Sequence, residues 1–257
     1  MFSVFTKPWK EMPVDELAEL VKSFGFDAVE FPLRDGYQAE PKDAPVSLPR
    51  LTKQFAAHGI AVASVASSTD EPIFAAGQEA GVPVIRIMLS RGEGRYLECE
   101  AAWKKQLDAL CPLCEKYGVK VGVQQHYGPA AFNSMELRHA LEGLDARYIG
   151  AIWDAAHSAL SGETPDKALD ILWDYLVMVN FKNAYYRRTN GPEAEQAVFR
   201  PYFTTAPNGN NDWSAAVKYL KARGYAGTVC MPAEYTDLPN TIPYLRRDAA
   251  YLKSLLA

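Results

Sequence analysis

The chain has 257 residues, 48% of them hydrophobic, and 27 Lys and Arg against 31 Asp and Glu leave a net charge of −4. That length supplies the core of one large domain, and mild acidity argues against nucleic acid or an anionic membrane as a partner. There is no apolar run long enough to span a membrane, and the start MFSVFTKPWKEM lacks the parts of a secretory leader, so a cytoplasmic protein is expected.

Taken in chain order, short apolar stretches alternate with segments of helical apolar spacing. Strands are expected at Ser3–Thr6, Ala28–Phe31, Ile60–Ala66, Val84–Leu89, Val119–Gln125, Tyr148–Asp154, Val177–Lys182 and Thr228–Met231. Between the first two, Leu17, Leu20, Val21 and Phe24 recur at helix period, and Gly25 closes the helix. The order of helix end, glycine and strand returns at His58-Gly59-Ile60, Ala80-Gly81-Val82, Tyr117-Gly118-Val119 and Arg223-Gly224-Tyr225. Strands that alternate with helices pair in parallel. Eight such units close into one α/β domain over residues 1–257, a (β/α)8 TIM barrel. Chemistry on such a barrel belongs at the C-terminal ends of the strands.

Two stretches read as long loops on that face, Pro32–Pro49 and Asn183–Asn211. The second carries Tyr185, Tyr186, Arg187, Arg188, Arg200, Tyr202 and Phe203, a content that suits a lid or an oligomer contact. Cys111-Pro-Leu-Cys114 has redox-motif spacing but falls inside an expected helix, Leu97–Tyr117, so the two cysteines read as small core residues.

Side chains alternate along a strand. Gly122 and Gln124 therefore share a face, as do Gly150, Ile152 and Asp154, and Met178, Asn180 and Lys182. The opposite faces are wholly apolar and suit the helix layer, so these faces point into the barrel and end in polar groups. Gln124, His126, Asp154, His157, Asn180, Lys182 and Glu234 are the candidate site residues, with Glu30 and Arg34 beside them. Asp154 is also placed to cap the helix that begins near Ala155, and Lys182 to pair with Glu234. His58 and His139, at a helix end and within a helix, read as structural.

Gly25-Phe26-Asp27-Ala28-Val29-Glu30, Trp153-Asp154-Ala155-Ala156-His157, Phe181-Lys182-Asn183, Asp212-Trp213 and Gly224-Tyr225-Ala226-Gly227 together resemble the xylose isomerase-like barrels. That family includes sugar-phosphate isomerases and epimerases, hydroxypyruvate isomerase, ketose 3-epimerases, inosose dehydratase and endonuclease IV. The resemblance covers essentially the whole chain. It implies a divalent metal (Mn, Mg, Co or Zn) held by a Glu on strand five, an Asp on strand six, a His on strand seven and a Glu on strand eight. Here those positions fall on Gln124, Asp154, Asn180 and Pro232, with Glu234 two residues on as the substitute. An amide has no useful basicity, so the two-glutamate proton transfer of the family is weakened. The histidine-rich trinuclear zinc site of endonuclease IV is not available to a chain with 4 histidines.

The resemblance implies an isomerase, epimerase or lyase for a small sugar or polyol, phosphorylated or not. Asp154, Glu234, His157 and Lys182 would be catalytic. Gln124, His126, Asn180, Glu30 and Arg34 would bind substrate, with Arg187 or Arg188 receiving a carboxylate or phosphate. Asp154, Glu234, Gln124 and Asn180 would hold the metal. Relatives of this kind are often homo-oligomers. The alternative is a non-catalytic, sugar-binding relative, or one subunit beside an active partner.

Overall fold

Strands apolar on both faces are stable only where both faces are covered. The computed structural model, which describes residues 1–128 and 130–257, meets that demand with a closed barrel inside a ring of helices. Its strands are β1 (Phe2–Phe5), β2 (Ala28–Pro32), β3 (Ala61–Ala66), β4 (Val84–Ile87), β5 (Lys120–Gln124), β6 (Ile149–Asp154) and β7 (Leu176–Asn180). After these come β8 (Asn183–Arg188), β9 (Phe199–Thr204) and β10 (Thr228–Met231). All but β8 and β9 form the barrel, in the order β1-β10-β7-β6-β5-β4-β3-β2, and every pair is parallel. Each barrel strand falls within two residues of its expected span. Among the described residues, no helix is long and apolar enough to cross a membrane.

The alternation sorts two layers. Val121, Val123, Trp153, Val179 and Phe181 pack outward in the main core. Phe5, Ala66, Ile152, Met178 and Cys230 form a smaller apolar cluster inside the barrel. Space in that interior is tight at Gly122: a Cβ there would lie 2.7 Å from Cδ1 of Ile152 and 3.2 Å from Cγ1 of Val84.

Three expectations change. The stretch after β2 is shorter than expected, because a helix already starts at Ala44 and runs to Ala57 through Pro49. Pro45 sits in its first turn, where a missing N–H costs nothing. Burial of Leu48, Leu51 and Phe55 outweighs the one bond lost at Pro49. The helix expected over Leu97–Tyr117 is two, Tyr96–Asp108 and Cys111–Tyr117, because Pro112 can begin a helix but not continue one. All four cysteines are free, and burial pushes the Cys114 thiol up to about 11.

The third change matters most for the site. The stretch after β7 is not a loop but an antiparallel hairpin of β8 and β9, with Asn183 opposite Thr204 and Arg188 opposite Phe199. A cross-strand contact of the tilted Tyr185 and Tyr202 rings (5.4 Å between centroids) stabilises it, a pairing no local pattern announces. Asn183 closes its base by donating to the carbonyls of Ala206 and Asn211, both at 2.8 Å. The return strand is tied to the segment after β10, since Thr236 N–H donates to the Phe203 carbonyl at 3.0 Å. Next along the chain, Ala206 N–H (3.1 Å) and Tyr235 O–H (2.9 Å) both donate to Oδ2 of Asp248 on the C-terminal helix. Among the described residues Oδ1 of Asp248 is buried without a hydrogen-bond partner, with Arg247 Nε 3.9 Å away.

Two outcomes are expected. Gly122→Ala overfills the barrel interior and lowers unfolding free energy by about 1–3 kcal/mol in a denaturant titration. Burial raises the Asp248 carboxyl to about 6. An acid whose folded pKa exceeds its unfolded value contributes most below the unfolded value, and the contribution is lost as pH climbs through the folded one. Stability should therefore fall by about 2 kcal/mol between about pH 4 and pH 7 from this group. Melting curves of Asp248→Asn, whose amide oxygen still accepts both bonds, should lack that drift.

Candidate active site at the barrel mouth

Six consecutive barrel strands, β2 to β7, each deliver one polar side chain toward the same end of the cylinder. Glu30 (β2), Ser64 (β3), Arg86 (β4), Gln124 (β5), Asp154 (β6) and Asn180 (β7) are all buried. Lys182 follows β7 by two residues, Lys7 follows β1 and Glu234 follows β10. Glu234 does not reach the mouth by strand alternation, since β10 ends at Met231. Ala233 takes a left-handed conformation, φ 53°, and that turn swings the next residue inward. A non-glycine residue there costs about 1–2 kcal/mol.

These groups form one continuous belt. Glu30 Oε1 accepts from Ser64 Oγ at 3.2 Å and from Arg86 Nε at 2.6 Å. Arg86 also donates to the amide oxygen of Gln124. The Gln124 amide nitrogen donates to Asp154 Oδ2 at 2.6 Å. Lys182 Nζ lies 3.5 Å from that oxygen and 2.7 Å from Glu234 Oε2. Lys7 Nζ completes the chain at 2.6 Å from Glu234 Oε1. Asp154 Oδ1 meanwhile accepts from the backbone N–H groups of Ala156 and His157 and caps the following helix. The capping role and the site role are held by the two oxygens of one carboxylate.

Charge in the belt is set by its neighbours. Burial opposes the Lys182 charge, but Asp154 and Glu234 outweigh it and raise the pKa, so an ammonium stands there at neutral pH. Burial alone would lift the Glu234 carboxyl; Lys182 and then Lys7 reverse this and hold it well below the usual range. Arg34 hangs over the mouth beside the ring of Phe5, and its guanidinium has no protein hydrogen bond among the described residues.

The mouth has two compartments. An inner throat of about 50 Å³ is lined by Glu30, Arg86, Gln124, Asn180, Lys182 and Glu234. It has room for a polar group and a few waters. Oδ1 of Asn180 and Oε2 of Glu30 are buried without a hydrogen-bond partner among the described residues. An outer vestibule of about 490 Å³ is lined by Tyr37, Tyr127, Phe203 and Tyr235 together with His126 and Glu234. That is the size of a small-molecule site.

His126 borders both compartments. Its Nδ1 lies 2.8 Å from the Tyr127 carbonyl, an acceptor only, so Nδ1 carries the hydrogen and Nε2 keeps a lone pair with no partner among the described residues. Burial, and then Lys182, lower its pKa, so the ring is neutral. His157 is fully buried, 4.2 Å from the His126 ring and 5.9 Å from Phe203 by ring centroids. Burial and Lys182 push its pKa well below that of a free imidazole. It supports His126 and lines neither compartment.

Gln124, Asp154, Asn180 and Glu234, the residues expected to hold a metal, gather here, but their donors do not fit a divalent cation. The Gln124 oxygen is bound to Arg86, and its nitrogen faces Asp154. A cation bridging Asp154 and Glu234 would have to displace the Lys182 ammonium. Among the described residues, no group of three His, Cys, Asp or Glu is arranged to hold a metal.

Of the remaining expected site residues, Glu30, Arg34, His126 and Lys182 line the throat. Arg187 and Arg188 stay outside it. Arg187 is exposed on the hairpin, 4.9 Å above the Tyr202 ring, and Arg188 binds Asn190 and the Gly191 carbonyl in the hairpin turn. Their neighbours along the chain suggested the mouth, but antiparallel pairing carries both away from it. His58 bridges Asp15 and Glu19, and His139 pairs with Glu100, away from the mouth. Sequence reasoning missed Arg86 and Lys7. Arg86 did leave a signal: it is the charged residue within an otherwise apolar strand, on the face it shares with Val84. Lys7 left none.

A family model for the xylose isomerase-like TIM barrel matches residues 18–255. The inosose dehydratase of Bacillus velezensis is 24% identical over 156 residues, covering 58% of this chain and 52% of that protein. The chain spans about half the length of the curated relatives it matches. A probable 3-DHS dehydratase from Bacillus anthracis has a TM-score of 0.75 at 11% identity over 98% of both chains. A D-psicose 3-epimerase from Clostridium cellulolyticum has a TM-score of 0.72 at 13% identity over 99% of both. Those identities speak for the fold alone. With the matched span, the closed barrel and the polar mouth in agreement, the chain belongs to the xylose isomerase-like TIM barrel family.

Proposed function

We propose that this protein is a sugar-modifying enzyme that removes a proton from the carbon beside the carbonyl of a small keto-polyol. One observation carries the reading: a buried ammonium, Lys182, and a neutral imidazole, His126, with a bare Nε2, line the same cavity. The aromatic vestibule suits the C–H faces of a sugar or cyclitol ring, and the throat suits its oxygens. Inosose dehydratases among the relatives, and an epimerase among the similar structures, support a substrate of this class.

The chemistry follows from these groups. His126 Nε2 takes the proton as the C–H bond breaks, and the electron pair moves onto the carbonyl oxygen, whose charge faces Lys182. Protonation of the opposite face by a second donor, with His126 passing its own proton to solvent, gives an epimer. Return of the His126 proton to the former carbonyl carbon, while the neighbouring hydroxyl gives its proton to the enediolate oxygen and becomes the carbonyl, gives an isomer. Departure of the hydroxyl from the next carbon with the His126 proton gives a dehydrated product and water. The three outcomes share one first step, and ligand shape selects among them. Asp154 holds Lys182 in place, and Arg34 is free to receive a carboxylate, phosphate or hydroxyl on the substrate.

A second reading has its own support: Glu30, Asp154 and Glu234 are each held in an ion pair, which leaves no carboxylate free as a base. This is the arrangement of a sugar-binding relative without catalysis. Ketoses and inososes incubated with the protein in D2O decide between them. Proton loss beside the carbonyl, followed by NMR, is expected, and His126→Ala should lower its rate by about 10²–10⁴-fold while leaving the melting temperature near that of the wild type. Saturable sugar binding with no exchange in any substrate would favour the second reading.

A further inference from the structure

The belt answers a question that the family resemblance raises: what occupies the centre of the mouth. Asp154 and Glu234 bring two carboxyl groups, and two ammonium groups meet them; burial raises the Asp154 pKa, and Lys182 opposes that rise. Lys182 touches both carboxylates, and Lys7 takes the second oxygen of Glu234. Together they supply the two positive charges that one divalent ion would. The side chain of Lys182 is 5% exposed, and its ammonium lies 5.0 Å above the Phe203 ring, so both the hairpin and the carboxylates hold it.

Gln124 is matched to this arrangement. It accepts from Arg86 through its oxygen and donates to Asp154 through its nitrogen. A glutamate here could not donate, and would set a second carboxylate against Asp154. The amide is therefore what lets an arginine on one side and a carboxylate on the other share one belt. Arg86 in turn is neutralised by Glu30. Both oxygens of Glu234, Oδ2 of Asp154 and the Gln124 amide oxygen already meet a cation of the protein. Oδ1 of Asp154 caps a helix, and Oδ1 of Asn180 and Oε2 of Glu30 have no hydrogen-bond partner among the described residues.

We propose that Lys182 is the resident cation of this mouth, standing between Asp154 and Glu234 where the resemblance to the xylose isomerase-like barrels places a divalent metal. The consequence for catalysis, a carbonyl polarised by an ammonium, rests on the function proposed above. The assignment of the cation does not.

Metal content and Mn²⁺ titration test it without any substrate. Wild-type protein purified without chelator should carry no stoichiometric divalent metal, and Mn²⁺ should show no saturable site in the micromolar range by electron paramagnetic resonance. Lys182→Ala combined with Gln124→Glu exposes three carboxylates and should bind Mn²⁺ at least about tenfold tighter than wild type. Lys182→Met keeps the aliphatic stem and should show a smaller gain, whereas Lys182→Arg keeps the charge and should show none. A full complement of metal in the wild type, removed by Asp154→Asn, overturns the proposal. So does a folded Lys182→Ala/Gln124→Glu protein that takes up Mn²⁺ no better than wild type. The wild-type measurement decides even where the variants do not fold. A protein that exchanges no proton from any keto-polyol still passes this test. One that turns over keto-polyols only when loaded with Mn²⁺ keeps the functional reading and loses this one.

Discussion

Charge compensation inside the barrel is the constraint on which the rest of the mouth depends. Glu30 and Asp154 are fully buried, and a buried carboxylate is stable only with a partner of opposite charge or a full set of donors. The chain meets this with one linked belt rather than with separate pairs, from Glu30 through Arg86, Gln124, Asp154, Lys182 and Glu234 to Lys7. Removing one member of such a network strands its neighbour, which typically costs about 3–5 kcal/mol. The belt is therefore both the upper closure of the core and the floor of the mouth cavity.

The belt sits directly on the apolar plug of Phe5, Ala66, Ile152, Met178 and Cys230. Ser64 joins the two levels: its hydroxyl lies within reach of Glu30 and of the Met178 sulfur. A low-dielectric layer beneath strengthens the ion pairs and keeps their geometry. Above the belt the β8–β9 hairpin contributes Phe203 over Lys182 and beside His157. The outer cavity takes its aromatic wall from that hairpin, from the segment after β10, and from Tyr37 after β2 and Tyr127 after β5. The gradation from apolar plug to charged belt to aromatic vestibule gives a ligand one polar end and one ring face to satisfy.

Departures from the family pattern become intelligible as a set. Gln124 in place of a glutamate, Asn180 in place of a histidine and Glu234 displaced by two residues look like separate losses along the chain. In three dimensions the first bridges Arg86 and Asp154, accepting from one and donating to the other. The last is produced by the left-handed turn at Ala233, which brings the carboxylate onto Lys182 and Lys7. Asn180 is level with Asp154 and Cys230 in the sheet and turns an open acceptor into the throat.

The period of the apolar residues was enough, by itself, to determine the barrel, the inward faces of β5, β6 and β7 and the end of the cylinder where polar groups collect. Those properties are local: a strand one residue out of phase would expose its core face, and a glycine after a helix marks its end whatever packs on it. Pairing was decided only by tertiary structure. Nothing near Arg187 says that its strand folds back on Tyr202, and nothing near Lys7 says that it meets a glutamate 227 positions away. The identity of the central cation belongs to the same class, because a lysine's charge partner depends on which strands close next to each other. Long-range electrostatics inside a closed sheet is a property of the assembled cylinder, and no single segment of the chain contains it.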